Sequence, residues 1–300
     1  MSRAVRFTRY GGPEVLEVVD ADEPHAGAGQ VRVAVRAAGA NPFDSKVRRG
    51  EVPSLAPPRG QGSEFAGVID ELGDGVTTVA LGDEVLGWAS GCQADFVLAR
   101  ATSVAPKPAA LDWETAGGLG LVGNTALRAS AAVMPGPDDT VLVSGATGGV
   151  GLLSAQFARR AGATVIGMAR EAHHEFLRGL GIIPVGYSEG LAEALAAAAP
   201  GGITAVLDSV GSRVVELALS LGVPASRINS VAVDDGAATY GISTVGGGDK
   251  TADELAELAR LAGSGELVLP IRAAFPLARV RAAYEELEGG HGLGKIVLVP

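Results

Sequence analysis

Polar and apolar residues alternate early in the chain. In "QVRVAVRAAG", Val31, Val33 and Val35 fall on one side and Arg32 and Arg36 on the other, the period of two of a half-buried strand. "EFAGVIDELGDGV" and "GDEVLGWA" read as further short strands, closed by Gly-Asp-Gly and Gly-Asp turns. The opening "MSRAVRF" reads as a strand as well. The first hundred residues therefore predict a β-rich domain. A helix over 124–134 leads into a different regime, in which strands and helices alternate: Thr140–Ser144 then Val150–Ala161, Thr164–Met168 then His173–Leu180, Ile203–Asp208 then Arg213–Ser220, and Arg227–Val231. Such alternation predicts right-handed βαβ units in a parallel sheet with helices on both faces. "TADELAELARLAG" and "RVRAAYEELEGG" add two late helices, and "GKIVLVP" closes the chain as a strand able to return to the first domain. The expectation is an α/β chain of two domains, one a doubly wound parallel sheet.

At the first of these strand–helix joints stands "VLVSGATGGVG". With 44 glycines in 300 residues, three glycines at a fixed spacing arise about once by chance. The flanks carry the information. "TVLVS" is a short apolar run suited to a buried parallel strand, and a helix with an apolar face follows. Strand, glycine turn and helix together present free N–H groups to a pyrophosphate. In the fingerprint G-x-G-x-x-G the slots hold Ala146, Gly148 and Gly151. The candidate contacts of the turn are Ala146, Thr147, Gly148, Gly149, Val150 and Gly151. An NAD site places an acidic residue about 20 positions further on. Arg170 stands there instead, 19 residues after Gly151. A guanidinium suits a 2′-phosphate, and His174 offers a second donor, so NADP(H) is the expected cofactor. Glu171 could alternatively serve a ribose, and Arg170 could be a solvated surface arginine.

The net charge of −10 argues against nucleic acid or an anionic membrane as partner. No uncharged apolar run approaches the ~20 residues needed to span a bilayer, and the start lacks an apolar signal core. A soluble, cytoplasmic protein is expected. The single cysteine, Cys92, excludes an intrachain disulfide and a cysteine-rich zinc site. It reads as a small buried hydrophobe. Neither the adjacent His173 and His174 nor His25 and His291 suggest a metal site, so no metal is expected.

Six segments together resemble the zinc-independent quinone oxidoreductase branch of the medium-chain dehydrogenase/reductase superfamily: "GANPFDSKVRRG", "GSEFAGVIDELGDGV", "GDEVLGW", "VLVSGATGGVG", "HEFLRGLG" and "GGHGLGKIVLV". The resemblance implies a GroES-like catalytic domain over 1–123 and 266–300 and a Rossmann NADP-binding domain over 124–265. It implies Asn41 where zinc-dependent relatives carry a cysteine ligand, and Ser63-Glu64 where they carry a His–Glu pair. It further implies hydride transfer to a quinone or α,β-unsaturated carbonyl, and a homodimer. Asn41, Lys46 and Tyr240 are the candidate catalytic residues. Asn41 could equally be a turn residue before Pro42, and Lys46 a surface lysine. Asn41, Thr125, Tyr187, Ser209, Thr244 and Lys295 join the candidate cofactor contacts, with Lys295 at a phosphate or merely structural. An enoyl-thioester or secondary-metabolite tailoring reductase, and a non-catalytic NADPH-binding protein, are the competing readings.

Overall fold

The computed structural model describes residues 1–187, 190–246, 250–290 and 292–300. Two compact units emerge, one comprising 1–121, 250–291 and 295–300 and the other 122–249 and 292–294.

The first unit begins with β1 (Ser2–Phe7), β2 (Glu17–Ala21), β3 (Gln30–Ala40), α1 (Pro42–Arg49), β4 (Arg59–Gly60), β5 (Phe65–Leu72), β6 (Glu84–Gly87), β7 (Phe96–Arg100) and β8 (Val104–Pro106). The strand β3 is the spine. Its Val31, Val33 and Val35 are buried among Phe65, Ile69, Val85 and Val97, while Arg32 reaches outward to Asp70 at 2.9 Å. Beyond Val35 the alternation stops and Ala37 to Ala40 are all buried, because both faces of the strand are covered there. The helix α2 (Trp113–Val133) follows. It starts 11 residues before the 124–134 expected from sequence, where its first turns are rich in glycine, a poor helix former that hides a helix from sequence reading.

The second unit holds β9 (Thr140–Val143), α3 (Gly149–Arg160), β10 (Thr164–Met168), α4 (His174–Gly179), β11 (Ile183–Val185), α5 (Leu191–Ala198), β12 (Ala205–Asp208), α6 (Ser212–Ser220), β13 (Ile228–Ser230) and α7 (Gly236–Tyr240). All five strands are parallel, in the order β11-β10-β9-β12-β13. Period two divides them between two cores. Val141 and Val143 pack with Leu152, Ala155 and Leu177 of α3 and α4 on one face, whereas Leu142 packs with Leu195, Val214 and Val215 of α5 and α6 on the other. Both faces of the sheet are thereby covered by helices, as buried parallel strands require.

The chain then returns to the first unit with α8 (Ala252–Gly263), β14 (Ile271–Pro276), α9 (Val280–Gly289) and β15 (Lys295–Val299). A reciprocal cap starts α8: Thr251 Oγ accepts from Glu254 N at 3.2 Å and Glu254 Oε2 from Thr251 N at 3.1 Å. Its buried Leu255, Leu258 and Ala259 belong to the first unit. The nucleotide domain that the family resemblance implies up to 265 therefore ends at 249 here, because α8 packs on β6 and β8 of the first unit. The strand β15 pairs antiparallel with β3 and parallel with β14, closing the sheet around a core of Val5, Phe7, Leu277, Val280, Tyr284 and Ile296. Among the described residues no helix is long and apolar enough to cross a membrane.

Candidate functional site

Two sites emerge, one in each unit. In the second unit the carboxyl ends of β9, β10, β12 and β13 carry the glycine turn and its supports. Gly145 has φ +60°, a conformation open to glycine at little cost. Gly148 caps α3 with extended backbone and no side-chain hydrogen bond. The N–H groups of Gly149, Val150 and Gly151 head this 12-residue helix, where no intrahelical acceptor exists. Gly151 is buried, and a Cβ there would lie 2.3 Å from Gly145 O. Its role is close packing of helix on turn. Gly148 is different: a Cβ would meet its nearest neighbour, Gly145 O, at 3.4 Å, so the protein itself leaves room there.

Asp208 organises the surroundings. It accepts from Ser144 Oγ and Ser230 Oγ, each at 2.6 Å, and from the Val210 and Gly211 N–H groups at 3.0 and 3.1 Å. Ser144 Oγ in turn accepts from Ser209 N at 2.9 Å. One buried carboxylate thus ties the loops after β9, β12 and β13 together. The Tyr187 hydroxyl accepts from Gly145 N at 2.8 Å and donates to Met168 O at 3.2 Å, bridging the turn to the end of β10. Burial raises the Tyr187 phenol above its ordinary value, against the Gly145 hydrogen bond. Gly294 N donates to Thr147 O at 2.8 Å, seating the "GLG" segment on the turn.

Arg170 is exposed at the end of β10. His174, at the start of α4, donates from Nε2 to Ala169 O at 3.2 Å. Thr125 lies half-buried in α2, near Gly246, where an added Cβ would approach its Cγ2 at 3.2 Å. Thr244 is exposed. His291, which belongs to a segment quoted for the family resemblance, lies outside the described residues.

Three sequence expectations change on this geometry. Ala146 is fully buried in the core, and its N–H is spent on Met168 O at 3.1 Å. It shapes the turn, and neither its side chain nor its N–H is left for a ligand. Tyr240 donates to Glu216 Oε1 at 2.7 Å, a bond that raises its pKa with Glu216's charge adding to the rise, so it holds its proton rather than releasing it. Lys295 is 4% exposed, and its ammonium donates to Ala40 O, Asn41 Oδ1 and Glu64 Oε1 at 3.0, 2.7 and 2.9 Å. With its three protons used in the first unit, it is a structural cation and not a phosphate ligand.

Those contacts define the second site. Glu64 on the edge of β5 is fully buried. Its Oε1 accepts from Lys295 and from Asn41 Nδ2 at 2.8 Å, and its Oε2 from Leu121 N at 2.6 Å. Gly39 makes room for it, since a Cβ there would fall 2.1 Å from Glu64 Oε1. Both ends of the Asn41 amide are therefore held, and Asn41 is 1% exposed. Asp44, in the first turn of α1, accepts from Asn41 N at 2.9 Å and from Ser63 Oγ at 2.6 Å. Burial pushes the Asp44 carboxyl up to about 6, against the Ser63 hydrogen bond and the charge of Lys295, with Glu64 adding to the rise. Gln61 and Gln93 are buried beside this group, Gln93 donating to the Tyr284 hydroxyl at 2.8 Å. Lys46 is half-buried on α1. Cys92 is fully buried, its thiol donating to Ala89 O at 3.1 Å, and burial pushes its pKa up, so it is inert. Among the described residues no cluster of three histidine, cysteine or carboxylate side chains stands ready for a metal. The sequence reading missed the Lys295–Glu64 pair and Asp44. Their partners are remote in sequence, and the one usable signal was a lysine inside the apolar "KIVLV" strand.

A parallel sheet with a glycine turn at its central strand, in a chain that also holds a β-rich unit closed by the last strand, is the build of a medium-chain dehydrogenase/reductase. The pattern of the alcohol dehydrogenase GroES-like domain matches residues 27–138, and that of the zinc-binding dehydrogenase family matches 182–298. A quinone oxidoreductase of Pseudomonas aeruginosa is 31% identical over the whole of both chains. The rat quinone oxidoreductase is 40% identical over 56% of this chain, and the match spans only 53% of that protein's length. A component of the pikromycin polyketide synthase of Streptomyces venezuelae is 34% identical over 93% of this chain, which is 8% of that much larger protein. A mycobacterial protein solved in complex with NADPH superposes with a TM-score of 0.89 over the whole of both chains at 28% identity. The chain belongs to the quinone oxidoreductase family of the medium-chain dehydrogenase/reductase superfamily.

Proposed function

We propose that this chain is an NADPH-dependent reductase of quinones or α,β-unsaturated carbonyls that works without a metal. The observation that carries the reading is the open head of α3 behind the space left at Gly148, with the exposed Arg170 at the end of the neighbouring strand. The residues fit the cofactor. A pyrophosphate would sit on the Gly149–Gly151 N–H groups, and a 2′-phosphate would take the Arg170 guanidinium. When bound, the reduced nicotinamide supplies the hydride.

The protein's own part is binding, orientation and proton management. Asp208 holds the loops that frame the cofactor, and Lys46 is the cationic group offered to the developing oxyanion. Metal independence is read from the donor set: Asn41 and Ser63 stand where the resemblance puts a cysteine and a histidine ligand. The Asn41 amide is already committed to Lys295 and Glu64.

A second reading, reduction of an enoyl thioester, is favoured by the polyketide synthase match over 93% of the chain. Stopped-flow loss of NADPH absorbance with quinones, enones and an enoyl thioester separates the readings. Turnover with quinones or enones is expected. Turnover with the thioester alone selects the second reading, and NADPH binding without oxidation by any acceptor leaves a non-catalytic binding protein.

A further inference from the structure

The strand β13 ends the parallel sheet, and two of its three residues are polar: Asn229 and Ser230, each with no exposed surface. A parallel strand covered on both faces is ordinarily built of Val, Ile and Leu, and Asn suits a strand poorly. A buried amide or hydroxyl costs stability unless it is hydrogen-bonded. Both side chains find partners, in two different segments of the second unit.

Ser230 Oγ donates to Asp208 Oδ2 at 2.6 Å and accepts from Ala232 N at 3.1 Å. The other oxygen of that carboxylate accepts from Ser144 Oγ, also at 2.6 Å, and Ser144 immediately precedes the glycine turn. Two short bonds therefore join β13 to the turn that heads α3. Asn229 looks elsewhere. Its Nδ2 donates to Val245 O and its Oδ1 accepts from Val245 N, each at 2.9 Å, so the side-chain amide pairs with Val245 as the peptide group of a neighbouring strand would. Backbone bonds from Ser230 N to Ser243 O and from Ser243 N to Ile228 O, both 3.0 Å, hold the same segment in parallel register. Thr244, which the family resemblance makes a cofactor contact, is carried between those anchors.

We propose that Asn229 and Ser230 are positioning residues for the cofactor. Ser230 acts through Asp208 and Ser144 on the pyrophosphate turn, and Asn229 acts through Val245 on the segment that presents Thr244. One strand thereby sets two parts of the nucleotide seat. The inference rests on the cofactor reading above and adds to it two residues that act without touching the nucleotide.

Two variants separate positioning from packing. Asn229→Val is close to Asn in size and suits a strand, so the melting temperature should stay nearly unchanged. In the cofactor-free protein, amide exchange at Val245 should speed up by about tenfold or more, as its acceptor is lost. Ser230→Ala should shift the amide resonances of Gly149 and Gly151 in the cofactor-free protein. Each variant should weaken NADPH and NADH equally, by about tenfold, the lower end of what a hydrogen bond to a charged group is worth. Equality is the signature, because the pyrophosphate is common to both nucleotides, whereas a 2′-phosphate contact would touch NADPH alone. Should Asn229→Val fail to fold, Asn229→Ala takes its place with the same expected loss of affinity. Unchanged affinities in both variants, with or without a fall in melting temperature, overturn the positioning role while the cofactor reading stands. A loss in only one of them overturns the shared role of β13. Failure of the wild type to bind either nucleotide overturns the cofactor reading, and the inference falls with it.

Discussion

Arg170 and Lys295 show how differently two cations of one chain are used. Arg170 is exposed at the end of β10, and no hydrogen bond or ion pair among the described residues engages its guanidinium. A guanidinium left free in water has little to do for stability, so its replacement tests binding cleanly. Arg170→Ala is expected to weaken NADPH by about 10- to 100-fold, the worth of a charge-assisted hydrogen bond, and to leave NADH nearly unchanged. Titration calorimetry with both nucleotides checks this, and equal weakening would remove Arg170 from the 2′-phosphate. Lys295 is the reverse case, a buried ammonium with three acceptors, one of them Glu64, 231 positions away. That distance is why sequence reading left its role open. Arg170 follows a recognisable motif at a fixed interval, whereas the fate of Lys295 depends on which strands the fold brings together.

At the scale of elements, the second unit was the more legible. The strand Thr164–Met168 matches β10, and the expected helix over 150–161 differs from α3 by one residue at each end. Local periodicity and turn residues decide such βαβ units, so a reader of sequence sees what the chain itself uses. The placement of α8 was not legible, since an amphipathic stripe says that a helix is buried but not against which sheet. Within the legible part, two glycines of one turn should separate packing from binding. Gly151→Ala puts a Cβ 2.3 Å from Gly145 O, between backbone groups that cannot yield easily. It should cost about 1–3 kcal/mol of stability, as overpacking does, and lose NADPH as well. Gly148→Ala meets ordinary contact distance, 3.4 Å, at a residue with negative φ. It should leave the melting temperature nearly unchanged and still weaken NADPH by about tenfold or more, because the Cβ enters the space a pyrophosphate needs. Thermal melts and calorimetry on both variants check the pair. Equal loss of affinity and stability in both would mean that the turn is purely structural.

Across the whole molecule, the proposed metal-free chemistry turns on what stands where a metal would be held. The family includes zinc-dependent members by resemblance, yet this chain has a single cysteine, and that cysteine is buried with its thiol bonded to Ala89 O. In the first unit the polar centre is neutralised from within. The Glu64 carboxylate faces the Lys295 ammonium at 2.9 Å, and Asn41 completes the bonding of both. A buried pair of this kind contributes little net stability, but removing one partner strands the other charge at a cost of about 3–5 kcal/mol. A zinc ion entering beside Asn41 would have to displace Lys295 from a carboxylate it already satisfies, with an amide and a hydroxyl offered as ligands in place of thiolate and imidazole, a poor exchange for a cation that prefers nitrogen and sulfur. Dialysis against a strong chelator should therefore leave NADPH-dependent turnover and the melting temperature unchanged, and elemental analysis of the purified protein should find zinc far below one equivalent. Activity lost to the chelator and restored by zinc would show that the lysine–carboxylate pair opens to admit a metal, and the metal-free mechanism would have to be abandoned.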